Sequence, residues 1–224
     1  MFIEEATKDQ DTLAVQPYNN HPALRAAARV ISVLFHPLFI PVYIAAFVVY
    51  YTPIFPGFDE RGKGLLVLRF LIIYTVFPLA TVLIAKGLGF VQSVYLRTQK
   101  ERIIPYVACG VYYFWMWYVL RNQPEFPREM EDLALGIFLA ASGGLFLNSY
   151  LKISMHGISL GVMIAFVYGL ALSVESSFGV YLSIATLITG LVCTARLINT
   201  DHTPAEVYIG LAVGILGQLI AFWV

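Results

Sequence analysis

Apolar stretches long enough to cross a bilayer follow one another along almost the whole chain, and that succession limits the available folds more than any other feature. A membrane helix needs about 20 mostly apolar residues. Such stretches run over 30–51, 65–86, 103–120, 132–151, 157–174, 178–196 and 204–224. Backbone amides at membrane depth find no water to bond, so these stretches must be helices that satisfy their own hydrogen bonds. Composition agrees: 59% of the 224 residues are hydrophobic and 12% are charged, against roughly 25% charged in a soluble domain. A soluble fold of this size has too little interior for so much apolar surface. The sequence predicts an all-α, polytopic integral membrane helical bundle with six to seven transmembrane helices. A polar N-terminal tail is expected over 1–29 and a single transmembrane helical domain over 30–224.

Lys plus Arg and Asp plus Glu number 14 each, so the formal charge is zero. That excludes binding of nucleic acid through a basic surface. Cys109 and Cys193 lie inside apolar runs, where a buried thiol packs as a small hydrophobe. The first residues carry Glu4, Glu5, Asp9 and Asp11, whereas a secretory signal starts basic and turns apolar. Insertion is therefore expected to rely on the first membrane span. The run over 157–174 is the least regular, since it contains Gly157, Gly161 and Gly169. Tyr50, Tyr51, Tyr106, Trp117, Tyr118 and Trp223 stand near span ends, as interfacial anchors do.

Polar residues at membrane depth or its edge are the default place to look for function. Three clusters stand out: Arg97 to Pro105, with Lys100 and Arg102; Lys152 to Gly157, with Ser154 and His156; and Arg196 to Glu206, with His202. Two spans separate each cluster from the next, and two crossings return a chain to the same side. All three should meet at one face, making a cationic mouth with two imidazoles that suits a lipid phosphate.

His202 and Glu206 are four residues apart, which on a helix puts them on one face. A carboxylate so placed can fix the imidazole tautomer and stabilise the ring when it becomes positive. Thr203-Pro204-Ala205-Glu206 also reads as a capping box that starts the last helix. Ser154 to Gly157 opens an apolar run, where helix-N-terminal amides can cradle an anion. Taken alone, His156 reads first as an interfacial histidine, and Arg97, Lys100, Arg102, Lys152 and Arg196 read as topology or headgroup contacts.

The order and spacing of these residues carry more than any one of them. Ala195-Arg196, five residues, His202, Pro204, Glu206-Val207 and Gly210 resemble the third signature of the type 2 phosphatidic acid phosphatase superfamily, the haloperoxidase-like membrane acid phosphatases. Lys152-Ile153-Ser154-Met155-His156 resembles the second signature, and Arg97 to Pro105 a diverged first, in the family's order over about 90–224. The chain differs in having Glu206 for Asp, Ala195 for Ser, Met155 for Gly, and no Lys seven residues before Arg102.

The resemblance implies hydrolysis of a lipid phosphate or pyrophosphate without a metal or other cofactor. His202 would attack phosphorus and form a phosphohistidine, oriented by Glu206. His156 would protonate the departing alkoxide and then assist water. Arg196, Ser154, Lys152 and Arg102, with Lys100 and Arg97, would hold the phosphate oxygens. The partners implied are the bilayer and a lipid with a phosphate or pyrophosphate headgroup. Two other readings stay open: a non-hydrolytic relative that binds or moves an anionic lipid, and a metal-free lipid phosphotransferase. So compact a chain suits a bacterial or archaeal inner membrane.

Orientation is balanced between two arguments. Lys8, Arg25, Arg29, Lys86, Arg97, Lys100, Arg102, Lys152 and Arg196 fall on the cluster side, against Arg61, Lys63, Arg121 and Arg128 opposite. Positive-inside counting then places the site in the cytoplasm. The resemblance implies a site facing the outside or lumen.

Overall fold

The computed structural model describes residues 21–224 except 56, 94, 95, 97, 174–176, 200 and 201. Among the described residues there are eight helices and no strand. They are α1 (Pro22–Leu34), α2 (Ile40–Tyr51), α3 (Glu60–Gly87), α4 (Gln99–Arg121), α5 (Arg128–Asn148), α6 (Met155–Ser173), α7 (Gly179–Ile198) and α8 (Pro204–Trp223). The six from α3 to α8 are long and apolar enough to cross a membrane, and the chain is an integral membrane protein. The expected tail lies outside the described residues up to position 20. Of its remainder, residues 22–29 belong to α1, which begins at Pro22.

The first expected span, 30–51, is two helices joined by a corner. His36 precedes Pro37, and a residue before proline is pushed out of the α region. The helix therefore stops at Leu34, and α2 restarts with Pro41 in its first turn, where a missing N–H costs nothing. The corner is closed by the Phe39 N–H donating to the His36 carbonyl at 2.8 Å. The Tyr43 hydroxyl ties back to the Leu34 carbonyl at 3.0 Å. From there α2 leads across the bundle to Phe58, which stacks on Phe126 between α4 and α5.

Within α3 the helix widens over Ile72–Val76 into a π turn, with the Phe77 N–H reaching back to Ile72. Pro78 follows at once and has no N–H to give, so the slipped ladder accommodates it. The Thr75 hydroxyl in that turn donates to the Leu38 carbonyl at 2.7 Å, fastening the α1–α2 corner to α3.

The helix expected from 103 begins earlier, at Gln99, because Thr98 and Glu101 form a capping box. Lys100 and Arg102 are thus on its first turn rather than in a connection. Tyr106, expected at the interface, is buried. The glycine-bearing run is α6, the most deeply buried of the six. Gly157 and Gly161 face Gly210 and Gly214 of α8. A Cβ at Gly157 would stand 2.6 Å from the Val207 carbonyl, and one at Gly210 would stand 2.7 Å from that of Ser154. Small residues four apart let two membrane helices approach backbone to backbone. That approach brings the start of α6 against the start of α8.

Candidate active site

The starts of α4, α6 and α8 share one end of the bundle, as the parity of the crossings requires. The Ser154 N–H donates to the Glu206 carbonyl at 3.1 Å, joining α6 to α8. Asn148 Nδ2 at the end of α5 donates to the Gln99 carbonyl at 2.9 Å. Three helix N-termini, each carrying a partial positive charge, lie at this mouth.

His202 stands between α7 and α8 with its side chain 3% exposed. Its Nδ1 lies 3.0 Å from Glu206 Oε2 and 3.1 Å from the Lys152 carbonyl. Both partners are acceptors, so the hydrogen is on Nδ1 and the neutral ring carries its lone pair on Nε2. Burial, then the nearby Arg196 guanidinium, pushes His202 from 6.5 down to about 4, against the opposing pull of Glu206. The ring is neutral at pH 7. Glu206 holds it while also capping α8: the same Oε2 accepts the Thr203 N–H at 3.0 Å. The capping and imidazole-orienting readings of this carboxylate are both realised, on one oxygen.

His156 is buried on the first turn of α6. Its Nε2 lies 3.0 Å from the Ser32 carbonyl at the end of α1. A carbonyl only accepts, so that nitrogen bears the proton. The His36 ring meets the His156 ring nearly at right angles, with centroids 5.5 Å apart. Arg196 lies in the last turn of α7, where a cation suits the helix dipole. Its charge reaches His36 as well as His202.

Of the other residues expected at the phosphate, Arg102 and Ser154 also bond to backbone. Arg102 is buried, and two of its nitrogens donate to backbone: Nε to Leu96 at 3.0 Å and a terminal nitrogen to Ile153 at 2.8 Å. It bolts α4 to the segment before α6, while its charge is felt at His202. Ser154 is fully buried, and its hydroxyl caps α6 by accepting the Gly157 N–H at 3.2 Å. Lys152 supplies its carbonyl to His202. Lys100 is exposed on the first turn of α4. Arg97 lies outside the described residues.

Sequence reasoning missed Ser32 and His36. The available signal was a histidine followed by proline inside an apolar run, which breaks the helix and leaves a polar ring at the break. At the opposite end the adjacent acidic pairs are used locally. Asp59 caps α3 and Glu60 pairs with Lys63, while Glu131 and Asp132 pair with Arg121 and Arg128. Arg69 donates to Gln123 and lies over the Phe126 ring there. Among the described residues no group of three or more His, Cys, Asp or Glu side chains could hold a metal ion.

The arrangement can present an unprotonated imidazole nitrogen to an electrophile in a cationic setting, with a second imidazole in the same cluster. Compared with protein-family models, curated proteins and solved structures, the chain gives no match.

Proposed function

We propose that this protein is a metal-independent membrane phosphatase that hydrolyses a lipid phosphate or pyrophosphate through a phosphohistidine. The observation that carries the reading is the double acceptor on His202 Nδ1, which leaves Nε2 as a free base beside two arginine charges. His202 Nε2 attacks phosphorus, the N–P bond forms and the bond to the leaving oxygen breaks. Glu206 and the Lys152 carbonyl hold the Nδ1 proton while the ring becomes cationic. His156 gives a proton to the leaving oxygen and takes one from the water that cleaves the N–P bond. With Nε2 held on the Ser32 carbonyl, Nδ1 is the nitrogen of His156 that gives and takes this proton. Arg196, Arg102 and the N-termini of α6 and α8 stabilise the charge growing on the phosphate oxygens. The lipid tail stays in the bilayer beside the bundle, and a prokaryotic inner membrane suits so compact a chain.

A non-hydrolytic binder of anionic lipids is the second reading. It is favoured by the use of two Arg102 donors and the Ser154 hydroxyl as fasteners. Phosphate release from a panel of lipid phosphates and pyrophosphates, measured in detergent with EDTA present, separates the two. The phosphatase reading expects release that survives EDTA and is lost in His202→Ala. A folded protein that binds one of these lipids and releases no phosphate would support the binder instead.

A further inference from the structure

The α1–α2 corner is built more firmly than a connection between helices requires. Asn199 Nδ2 from the end of α7 donates to the Ser32 hydroxyl at 3.3 Å. Thr75 of the π turn holds the Leu38 carbonyl, and Tyr43 holds that of Leu34. Side chains from three helices thus fasten seven residues, and those residues present two groups to His156: the Ser32 carbonyl on its Nε2, and the His36 ring against its ring.

His36 is itself fixed. The Leu38 N–H points to its Nδ1 at 3.4 Å, which makes Nδ1 the acceptor and leaves the proton on Nε2. Phe39 packs edge-on against the same ring, with centroids 6.2 Å apart. Burial and then the Arg196 charge push His36 down to about 4, so it stands beside His156 uncharged. A neutral aromatic wall constrains a neighbouring imidazole without repelling the proton that imidazole must carry. An alanine there would leave the ring free to swing off the Ser32 carbonyl.

We infer that His36 is a positioning residue of this site, its ring and the Ser32 carbonyl together holding His156 in one tautomer and one orientation. The effect on turnover rests on the phosphatase reading; the effect on His156 does not.

The experiment is nitrogen-15 NMR of histidine-labelled protein in detergent, on the wild type, His36→Ala and His36→Phe. In the wild type, His156 should show a protonated Nε2 and an unprotonated Nδ1. In His36→Ala both nitrogens should move toward the averaged shifts of exchanging tautomers, while His202 keeps its protonated Nδ1. His36→Phe should restore the wild-type pattern. With a hydrolysed lipid, kcat should fall roughly 10- to 100-fold in the alanine variant at nearly constant KM, a partial loss of acid–base catalysis. Unchanged His156 nitrogens in His36→Ala would overturn the inference. So would loss of the His202 pattern in both variants, which would make the corner a support for the fold alone. If the wild type releases no phosphate, the phosphatase reading fails while the His156 shifts still decide the positioning.

Discussion

Glu206 Oε2 lies 3.0 Å from His202 Nδ1 and 3.0 Å from the Thr203 backbone nitrogen, so one carboxylate oxygen starts a helix and orients an imidazole. Different substitutions separate the two duties. Thr203→Ala removes the hydroxyl that accepts the Glu206 N–H and should cost about 1 kcal/mol of stability with turnover preserved. Glu206→Gln should slow turnover about 10- to 100-fold, less than the roughly 10⁴-fold loss when a triad carboxylate alone sets the tautomer. The Lys152 carbonyl still holds the Nδ1 proton. Thermal unfolding and phosphate release on the same preparations check both, and a Glu206→Gln protein that lost stability but not turnover would leave Glu206 a cap only.

The acid limb of kcat/KM reports the free enzyme's essential base. With His202 pushed down to about 4, activity should persist well below pH 6.5 and decline only near 4. Glu206 raises the His202 pKa, so Glu206→Gln should move that limb to lower pH. A wild-type limb near 6.5 would show that His202 is not the base that titrates.

Stability should depend on pH in the same window. His36 and His202 both titrate near 4 in the fold and near 6.5 when unfolded. Between those values the unfolded chain binds more protons, so lowering pH favours it. Their contribution is fully present above pH 6.5 and is lost progressively as pH falls toward 4. Unfolding midpoints at pH 7, 5.5 and 4.5 should fall in that order, and His36→Phe should flatten the trend. A midpoint constant across the series would contradict the burial of these two neutral rings.

The contact of α6 with α8 should tolerate no added volume. Gly210→Val would drive side-chain atoms into the Ser154 carbonyl, against backbone that cannot move aside cheaply. Overpacking of this kind costs about 1–3 kcal/mol. It should also reduce turnover, because the same contact sets the start of α6, and with it the Lys152 carbonyl, beside His202. Gly190→Val, at a position with open space around its Cβ, serves as the control and should change neither.

Much of the fold was legible because the membrane makes it so. Where backbone groups have no water, an apolar run of sufficient length has one solution, and the boundaries of α7 and α8 fall within a few residues of the expected ones. The shared location of His202, His156 and Arg102 followed from counting crossings. The pairing of His202 with Glu206 followed from helical periodicity, and the Thr203–Glu206 cap from its spacing. These are local or topological facts, and local sequence encodes them.

The tertiary structure decided what depends on partners distant in sequence. Which acceptors meet His202 Nδ1 depends partly on the Lys152 carbonyl, 50 residues away. By residue type Arg102 and Ser154 offer donors to a phosphate; the folded chain also turns two Arg102 nitrogens to the carbonyls of Leu96 and Ile153, and the Ser154 hydroxyl to the Gly157 N–H. Ser32 and His36 reach His156 across more than a hundred residues because Pro37 breaks the first apolar run and α1 packs on α7. Backbone carbonyls look alike in every sequence, so only the folded chain shows which of them meets a given imidazole.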